Sequence, residues 1–124
     1  MAVILLVEDD LQVQTSLRIA MEAAGHEVSS VHDGRQALRQ LRQQPADLVI
    51  TDILMPEVDG LELIRVLRRD FPAIRILAIS GGAARLPSAD MLQLARALGA
   101  DQLLSKPFRQ QELLNAICAL LKLN

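Results

Sequence analysis

The chain has 124 residues and a net charge of −2, from 13 basic and 15 acidic residues. This length suits one domain, and the balanced charge argues against a nucleic-acid binder, which would carry a basic excess. The single cysteine, Cys118, excludes an internal disulfide and a four-cysteine metal site. The apolar run Ala2–Val7 is too short for a signal peptide or a membrane span, so we expect a cytoplasmic protein with no membrane partner.

Five short runs, separated by longer stretches, are predicted as β-strands. In chain order they are Val3–Val7, Glu27–Val31, Asp47–Thr51, Ile74–Ile79 and Gln102–Leu104. Three of these runs are almost continuously apolar, which is typical of parallel strands that are buried on both faces. Only two residues of the chain are aromatic, so its core is predicted to be aliphatic.

The stretches between these runs have the apolar spacing of amphipathic helices. Their apolar faces are formed by Leu17, Ala20, Met21 and Ala24; by Ala37, Leu38 and Leu41; by Leu61, Ile64 and Leu67; and by Leu113, Ile117, Leu120 and Leu121. Most of the arginines lie along these stretches and are interpreted as solvent-exposed helix faces.

Capping signals mark the ends of the predicted helices. The segments Asp33–Gln36 and Asp59–Glu62 have the spacing of capping boxes at helix starts, with Asp in the capping position. Gly25 and Gly99 follow helical stretches, where a left-handed C-cap favours glycine. These signals separate five strand-helix units.

Strict alternation of strands and helices predicts an α/β fold. Right-handed crossovers then favour a doubly wound, five-stranded parallel sheet with helices on both faces. We expect residues 1–124 to form a single domain. One stretch, Gly81–Ser88, is irregular, since it contains two glycines and a proline.

Polar residues follow the apolar runs at the edge where a doubly wound sheet binds its ligands. The first run is followed by Glu8 and Asp9, the third by Asp52, the fourth by Ser80, and the fifth is followed closely by Lys106. Carboxylates brought together at one edge repel each other unless a cation or a proton intervenes. Oxygen ligands favour Mg²⁺, and the lysine and the hydroxyl suit a phosphoryl group, whose transfer depends on positioning and charge neutralisation. A carboxylate can be the nucleophile of such a transfer.

The ordered motifs resemble the receiver domain of bacterial response regulators. They are Leu5–Asp10, Asp47–Pro56, Asp59-Gly60, Ile79–Gly81, Gly99–Asp101 and Lys106–Phe108, and they cover essentially the whole chain. Each motif is weak alone, whereas the ordered set is specific. The resemblance implies the flavodoxin-like receiver fold with strand order 2-1-3-4-5.

The resemblance also implies a Mg²⁺ site. Asp9 corresponds to the direct metal ligand, and Glu8 beside it acts through water. Asp52 and the backbone carbonyl of Leu54 complete the implied protein ligands.

Further roles follow from the resemblance for the phosphoryl group. Asp52 corresponds to the phosphoacceptor, Ser80 to the hydroxyl residue that follows the phosphoryl group, and Lys106 to the lysine that pairs with it. The peptide bond between Lys106 and Pro107 is expected to be cis, as it typically is in receivers.

The implied function is that of a stand-alone signalling module and not of an enzyme with a separate substrate. The phosphoryl group would come from a histidine kinase or a histidine phosphotransfer protein, and the chain would catalyse its own phosphorylation and dephosphorylation. Its effect would pass to an unknown downstream protein. A piece of a longer regulator is the alternative.

Further local assignments concern two acids of the first motif, the cysteine and the histidines. Asp9 and Gln12 have the spacing of a capping box, so Asp9 is predicted to cap the first helix, to bind metal, or to do both. Asp10 is interpreted as a charge in the first helical turn. Cys118 is interpreted as a small buried residue of the last helix, and both histidines as surface residues.

Two features depart from the family pattern. Receivers commonly have Tyr or Phe three residues before the lysine, where this chain has Leu103, so the switch that couples Ser80 to the surface is predicted to work differently. The segment between Ser80 and Gly99 is also longer than expected. The additional length around Gly81–Ser88 is interpreted as either a mobile lid or partner loop, or an inert insertion.

Two other function classes fit the sequence less well. A phosphohydrolase with an aspartyl intermediate usually has a second acid two residues after the nucleophile, whereas Leu54 follows Asp52 at that spacing. A flavodoxin-type nucleotide binder would need a glycine-rich or hydroxyl-rich loop after the first strand, where this chain has acids.

Overall fold

A computed structural model describes residues 2–53, 60–80 and 88–122, of which 88–92 through the backbone alone. Within these ranges five strands alternate with five helices: β1 (Val3–Val7), α1 (Leu11–Ala23), β2 (Glu27–Val31), α2 (Gly34–Gln43), β3 (Leu48–Asp52), α3 (Gly60–Asp70), β4 (Arg75–Ser80), α4 (Ser88–Leu98), β5 (Gln102–Ser105) and α5 (Gln110–Lys122). The last three strands end one residue later than predicted, because the polar residues at their ends still belong to the sheet. None of the described helices has the length and apolar character needed to cross a membrane.

The five strands form one parallel sheet in the order β2-β1-β3-β4-β5, as predicted. Val7 pairs with Thr51, so the residue after β1 lies beside the end of β3. Ser80 pairs with Ser105 between β4 and β5. The carboxyl ends of these four strands therefore lie at one edge of the sheet.

Two apolar clusters lie on opposite faces of the sheet. One packs alternate residues of the strands against α2, α3 and α4, with Leu41, Leu63 and Ala95 among its members. The other packs the remaining strand residues against α1 and α5, with Met21 and Ile117. All five residues of β3 are buried, since this strand is central and covered on both faces. Both clusters are aliphatic in their buried members, as predicted.

Most of the predicted helix faces and caps are confirmed, with small corrections. Asp33 accepts a hydrogen bond from the Gln36 backbone N–H, and Gly25 has a φ of 95°. Ala24 is exposed, because α1 ends at Ala23 and Ala24 lies beyond the last turn. Cys118 is exposed and not buried, since it points away from the face of α5 that contacts the sheet. The predicted capping residue Asp59 lies outside the described residues.

Candidate functional site

Three charged side chains meet at the carboxyl edge of the sheet. The Lys106 ammonium donates to Asp52 Oδ2 at 3.1 Å and lies 3.6 Å from Glu8 Oε1. Glu8 is 3% exposed and Asp52 is 7% exposed, whereas the Lys106 side chain is 29% exposed. Two buried carboxylates thus share one cation that remains in contact with solvent.

The Glu8 carboxyl is poorly stabilised as an anion in this arrangement. Burial raises its pKa, the backbone N–H of Asp10 lowers it through a 3.1 Å hydrogen bond, and the charge of Asp52 raises it again. The net result is a pKa of about 7, compared with an ordinary value of 4.5. Near neutral pH, Glu8 therefore binds a proton readily, and a divalent cation would compete with that proton.

Lys106 responds to the same carboxylates in the opposite direction. Burial alone would lower the pKa of Lys106, but the hydrogen bond and the charge of Asp52, followed by those of Glu8, raise it above its ordinary value. The ammonium is therefore charged throughout the neutral range. A permanent positive charge beside Asp52 suits a dianionic phosphoryl group.

The structure decides which acid caps α1. Asp10 is the N-cap, and its Oδ1 accepts from the backbone N–H groups of Gln12 at 2.9 Å and Val13 at 3.2 Å. The prediction that Asp9 could cap this helix is wrong, because the helix begins one residue later than that spacing requires. Asp10 is likewise the cap itself and not a charge within the first turn. Asp9 is exposed and precedes the cap.

The predicted metal ligands are gathered only in part. Glu8 and Asp52 both lie close to Lys106, and a hydrogen bond with Asp9 is among the influences that raise the pKa of Glu8. Among the described residues, no group of three His, Cys, Asp or Glu side chains is arranged as a ready metal site. Leu54, whose carbonyl is the fourth predicted ligand, lies outside the described residues. The buried oxygen donors and the unfavourable charge of Glu8 nevertheless fit a hard divalent cation.

Ser80 and Leu103 lie on the same face of the sheet. Ala78 pairs with Leu103, and both contact the apolar cluster beneath α3 and α4. Ser80 follows Ala78 by two residues and is fully buried at the end of β4. The two predicted switch residues therefore lie on the same side of the sheet. Residues 81–87 of the segment predicted to be irregular, Gly81–Ser88, lie outside the described residues, and Ser88 begins α4 instead of ending that segment.

The segment after β5 is held close to β4. The Lys106 backbone N–H donates to the Ser80 carbonyl at 2.8 Å. The peptide bond between Lys106 and Pro107 is cis, as predicted.

Sequence reasoning missed the role of Gln14. This buried side chain of α1 donates from Nε2 to the carbonyl of Glu8 at 3.2 Å and to that of Val31 at 3.1 Å. It therefore joins the ends of β1 and β2 just where the acidic segment begins. A single polar residue on a helix face gives no sequence signal for such a contact, apart from its position where an apolar residue would be expected.

Replacing Gln14 by Met should destabilise the protein by about 1–2 kcal/mol, because two carbonyls lose a buried donor. The affinity for Mg²⁺ should also fall, since the main chain that carries Glu8 and Asp9 is less well fixed. Chemical denaturation and a Mg²⁺ titration measure the two effects. Gln12→Met is the matched control, because Gln12 is exposed on the same helix. An equal loss in both variants would contradict a specific role for Gln14.

The second missed feature is the close approach of Gly60 to the end of β3. A Cβ atom built on Gly60 would collide with the carbonyl oxygen of Asp52 and would lie 2.7 Å from the Cα of Ile53. The Gly60 backbone N–H also donates to the Ile53 carbonyl at 2.9 Å. The start of α3 is thus in direct contact with the backbone that carries Asp52.

Comparison with known proteins decides the family. A model of the response regulator receiver domain matches residues 4–118. The chain therefore belongs to the response regulator receiver family. It is a receiver module of two-component signal transduction, and the predicted family and sheet order are confirmed.

Individual relatives have two different sizes. The receiver is 39% identical over 116 residues to the response regulator receiver protein CpdR of Brucella abortus, covering 92% of each protein. It is 38% identical over 122 residues to the response regulator MprA of Mycolicibacterium vanbaalenii, covering 96% of this chain and 50% of MprA. The chain thus spans about half the length of MprA.

A solved structure supports the same fold. The chemotaxis protein CheY4 of Vibrio cholerae is 29% identical and superposes with a TM-score of 0.85, covering 97% of this chain and 98% of CheY4. The similarity extends over nearly the whole receiver.

Proposed function

We propose that Asp52 accepts a phosphoryl group, in a Mg²⁺-dependent reaction, from a phosphohistidine of a histidine kinase or phosphotransfer protein in the cytoplasm. The observation that carries this proposal is the Lys106 ammonium, which contacts the buried Asp52 carboxylate at 3.1 Å and lies beside Glu8. A buried acid with one cation and a second acid nearby fits a site that binds a phosphoryl group together with a metal ion.

The transfer requires little covalent assistance. An Asp52 carboxylate oxygen attacks the phosphorus atom, while the bond from phosphorus to the donor nitrogen breaks and its electron pair returns to the imidazole. Lys106 then balances the charge of the phosphoryl oxygens, and the Ser80 hydroxyl at the end of β4 can donate to one of them. Attack by water on the acyl phosphate restores Asp52 and releases phosphate, so the same residues serve both directions of the signal.

The proposed Mg²⁺ would be held by Asp9 and Asp52, with Glu8 acting through water and Leu54 through its carbonyl. When bound, the ion supplies neutralisation of the negative charge that collects on the phosphoryl oxygens. The residues of the chain position the acceptor and limit its repulsion from Glu8. Because Glu8 has a pKa of about 7, loss of its proton would accompany metal binding.

The signal would leave the receiver as a conformational change recognised by a downstream protein. A stand-alone receiver is favoured by the similarity to CpdR over 92% of both chains. The proposed switch differs from the usual aromatic one at Leu103, which lies on the same face of the sheet as Ser80. With a shorter side chain there, the segment after Ser80 is the proposed alternative route.

The test is the intact mass of the protein after incubation with Mg²⁺ and either acetyl phosphate or phosphoramidate. We expect a gain of one phosphoryl group that is abolished by a chelator and by Asp52→Asn. Asp70→Asn is the matched control, because Asp70 is an exposed acid at the end of α3, and it should retain the gain. Incorporation into Asp52→Asn, or none from either donor into the folded wild-type protein, would refute the proposal.

A further inference from the structure

Helix α2 has an exposed stripe of three arginines, which we call the arginine stripe: Arg35, Arg39 and Arg42. At 100° per residue these positions fall within an arc of about 60°. They are separated by about 6 Å and 4.5 Å along the helix axis, at 1.5 Å per residue. The helix has no acidic residue, although the net charge of the whole chain is −2.

The arginine stripe lacks the carboxylate partners that Arg18 and the arginines of α3 have. Arg18 pairs with Glu22, while the α3 arginines pair with Glu62, Asp70 and Asp101. Within the described ranges, no ion pair joins a carboxylate to the stripe, although Arg42 is among the charges that lower the pKa of Asp70. Three neighbouring guanidinium groups on one helix face repel one another, and an external anion would relieve that repulsion.

A groove lies beside the arginine stripe. It has a volume of about 250 Å³ and is lined by Val31, Gln36, Arg39, Gln40 and Gln43. Its amide side chains can donate to and accept from a peptide main chain. The sheet order places β2 at the edge of the described sheet, where its outer side has no neighbouring strand. The groove lies next to this edge strand, because Val31 of β2 is one of its lining residues.

We propose that the arginine stripe and its groove bind an extended acidic segment of a partner protein. In an extended chain, alternate side chains point to one side about 6.6 Å apart, which is close to the axial separation of about 6 Å between Arg35 and Arg39. The amides and the strand edge add main-chain recognition, which a protein segment provides. This function goes beyond phosphoryl acceptance and does not depend on it.

The surroundings of the stripe favour a protein over other polyanions. A nucleic acid would extend beyond the three arginines of the stripe. It would then be repelled by the rest of the chain, because the net charge of the protein is negative. A membrane surface would require apolar residues beside the arginines, but Leu38 and Leu41 pack against the core. A short acidic segment contacts only the stripe and its groove, so it avoids that repulsion and needs no apolar residues beside the arginines.

The test is a titration of the ¹⁵N-labelled protein with a synthetic peptide of ten residues that alternates Glu and Thr, at low ionic strength. We expect amide shift changes confined to α2 and β2, and no binding of the matched peptide that alternates Gln and Thr. The triple variant Arg35→Gln, Arg39→Gln, Arg42→Gln should bind about tenfold more weakly. Because exposed arginines contribute little to the stability of the fold, the triple variant should remain folded. The single variant Arg39→Gln tests the same surface and should lose less affinity for the peptide.

The control triple variant Arg18→Gln, Arg96→Gln, Lys122→Gln removes equal charge from other helices. It should bind the acidic peptide within twofold of the wild-type protein. An equal loss in both triple variants, or shift changes centred outside α2 and β2, would overturn the proposal. So would tighter binding of a 12-base-pair DNA duplex or of anionic phospholipid vesicles than of the peptide.

Discussion

Gly60→Ala should destabilise the receiver by about 2–3 kcal/mol and should strongly reduce phosphoryl acceptance by Asp52. The added methyl group would collide with backbone atoms of Asp52 and Ile53, which cannot rotate away as a side chain could. Relief requires either α3 or the end of β3 to move. Movement of β3 displaces Asp52 from Lys106, so stability and chemistry should both suffer.

Helix propensity alone would predict that Gly60→Ala stabilises the protein, which is opposite to the effect expected here. Gly60 is the first residue of α3, and alanine inside a helix is favoured over glycine by about 1 kcal/mol. Stabilisation by Gly60→Ala would therefore show that the close approach is easily relieved. Urea denaturation and the rate of phosphorylation by acetyl phosphate measure the two effects.

Gly25→Ala is the matched control for Gly60→Ala. Gly25 has a φ of 95°, but a Cβ atom there would meet nothing within 4 Å. This variant should cost about 1 kcal/mol from backbone strain and should leave phosphoryl acceptance unchanged. A similar loss of phosphorylation in both variants would mean that general destabilisation, and not the position of Asp52, is responsible.

The fold was predictable because its signals are local and repeated. Runs such as Leu48–Ile50 are apolar on both faces, so they identify buried parallel strands without knowledge of their partners. The strand ends were less predictable, since Ser80 and Ser105 are polar but still pair in the sheet. A hydrophobic pattern cannot distinguish such residues from the loop that follows.

The site was predictable where its residues end a strand or directly follow one. Glu8, Asp52 and Lys106 occupy such positions, and the parallel sheet brings them together. Gln14 and Gly60 act through tertiary contacts with the backbone of these segments, which neither spacing nor residue type reveals.

The assignment of the α1 cap failed for a related reason. Asp9 and Asp10 are adjacent acids, and only Asp9 has the capping-box spacing, to Gln12, whereas Val13 lies three residues after Asp10. The structure selects Asp10, because Glu8 accepts its backbone N–H and the helix begins at Leu11. Asp9 is thereby left for another function.

Mg²⁺ should stabilise the protein in a strongly pH-dependent way, with little effect at about pH 5.5 and a full effect at about pH 8. The cause is Glu8, whose pKa of about 7 reflects burial first and then the charge of Asp52, against the opposing hydrogen bond from Asp10. The proposed ion would bind the ionised site, so it would have to displace the Glu8 proton at low pH. Thermal denaturation with and without Mg²⁺ across this range measures the effect.

The metal-free protein should show the opposite trend. The native state binds the extra proton of Glu8 between about pH 4.5 and pH 7, where the unfolded state has already lost it, so the free energy of unfolding falls as the pH rises. Glu8→Gln removes this dependence. The free energy of unfolding of the variant, measured relative to that of the wild-type protein, should therefore be about 1–3 kcal/mol higher at pH 8 than at pH 4. Its Mg²⁺ response should be weak at every pH.

Two further variants separate the causes of this pH dependence. Asp52→Asn removes a charge that adds to the effect of burial in raising the pKa of Glu8. The fall in metal-free stability should therefore still begin at about pH 4.5 but should end at lower pH than in the wild-type protein. Glu27→Gln removes an exposed acid at the opposite end of β2 and should leave the Mg²⁺ response unchanged. If wild-type stability without metal instead rose steadily from pH 4.5 to pH 7, Glu8 would be ionised at little cost, and the proposed competition between proton and metal at this carboxylate would be wrong.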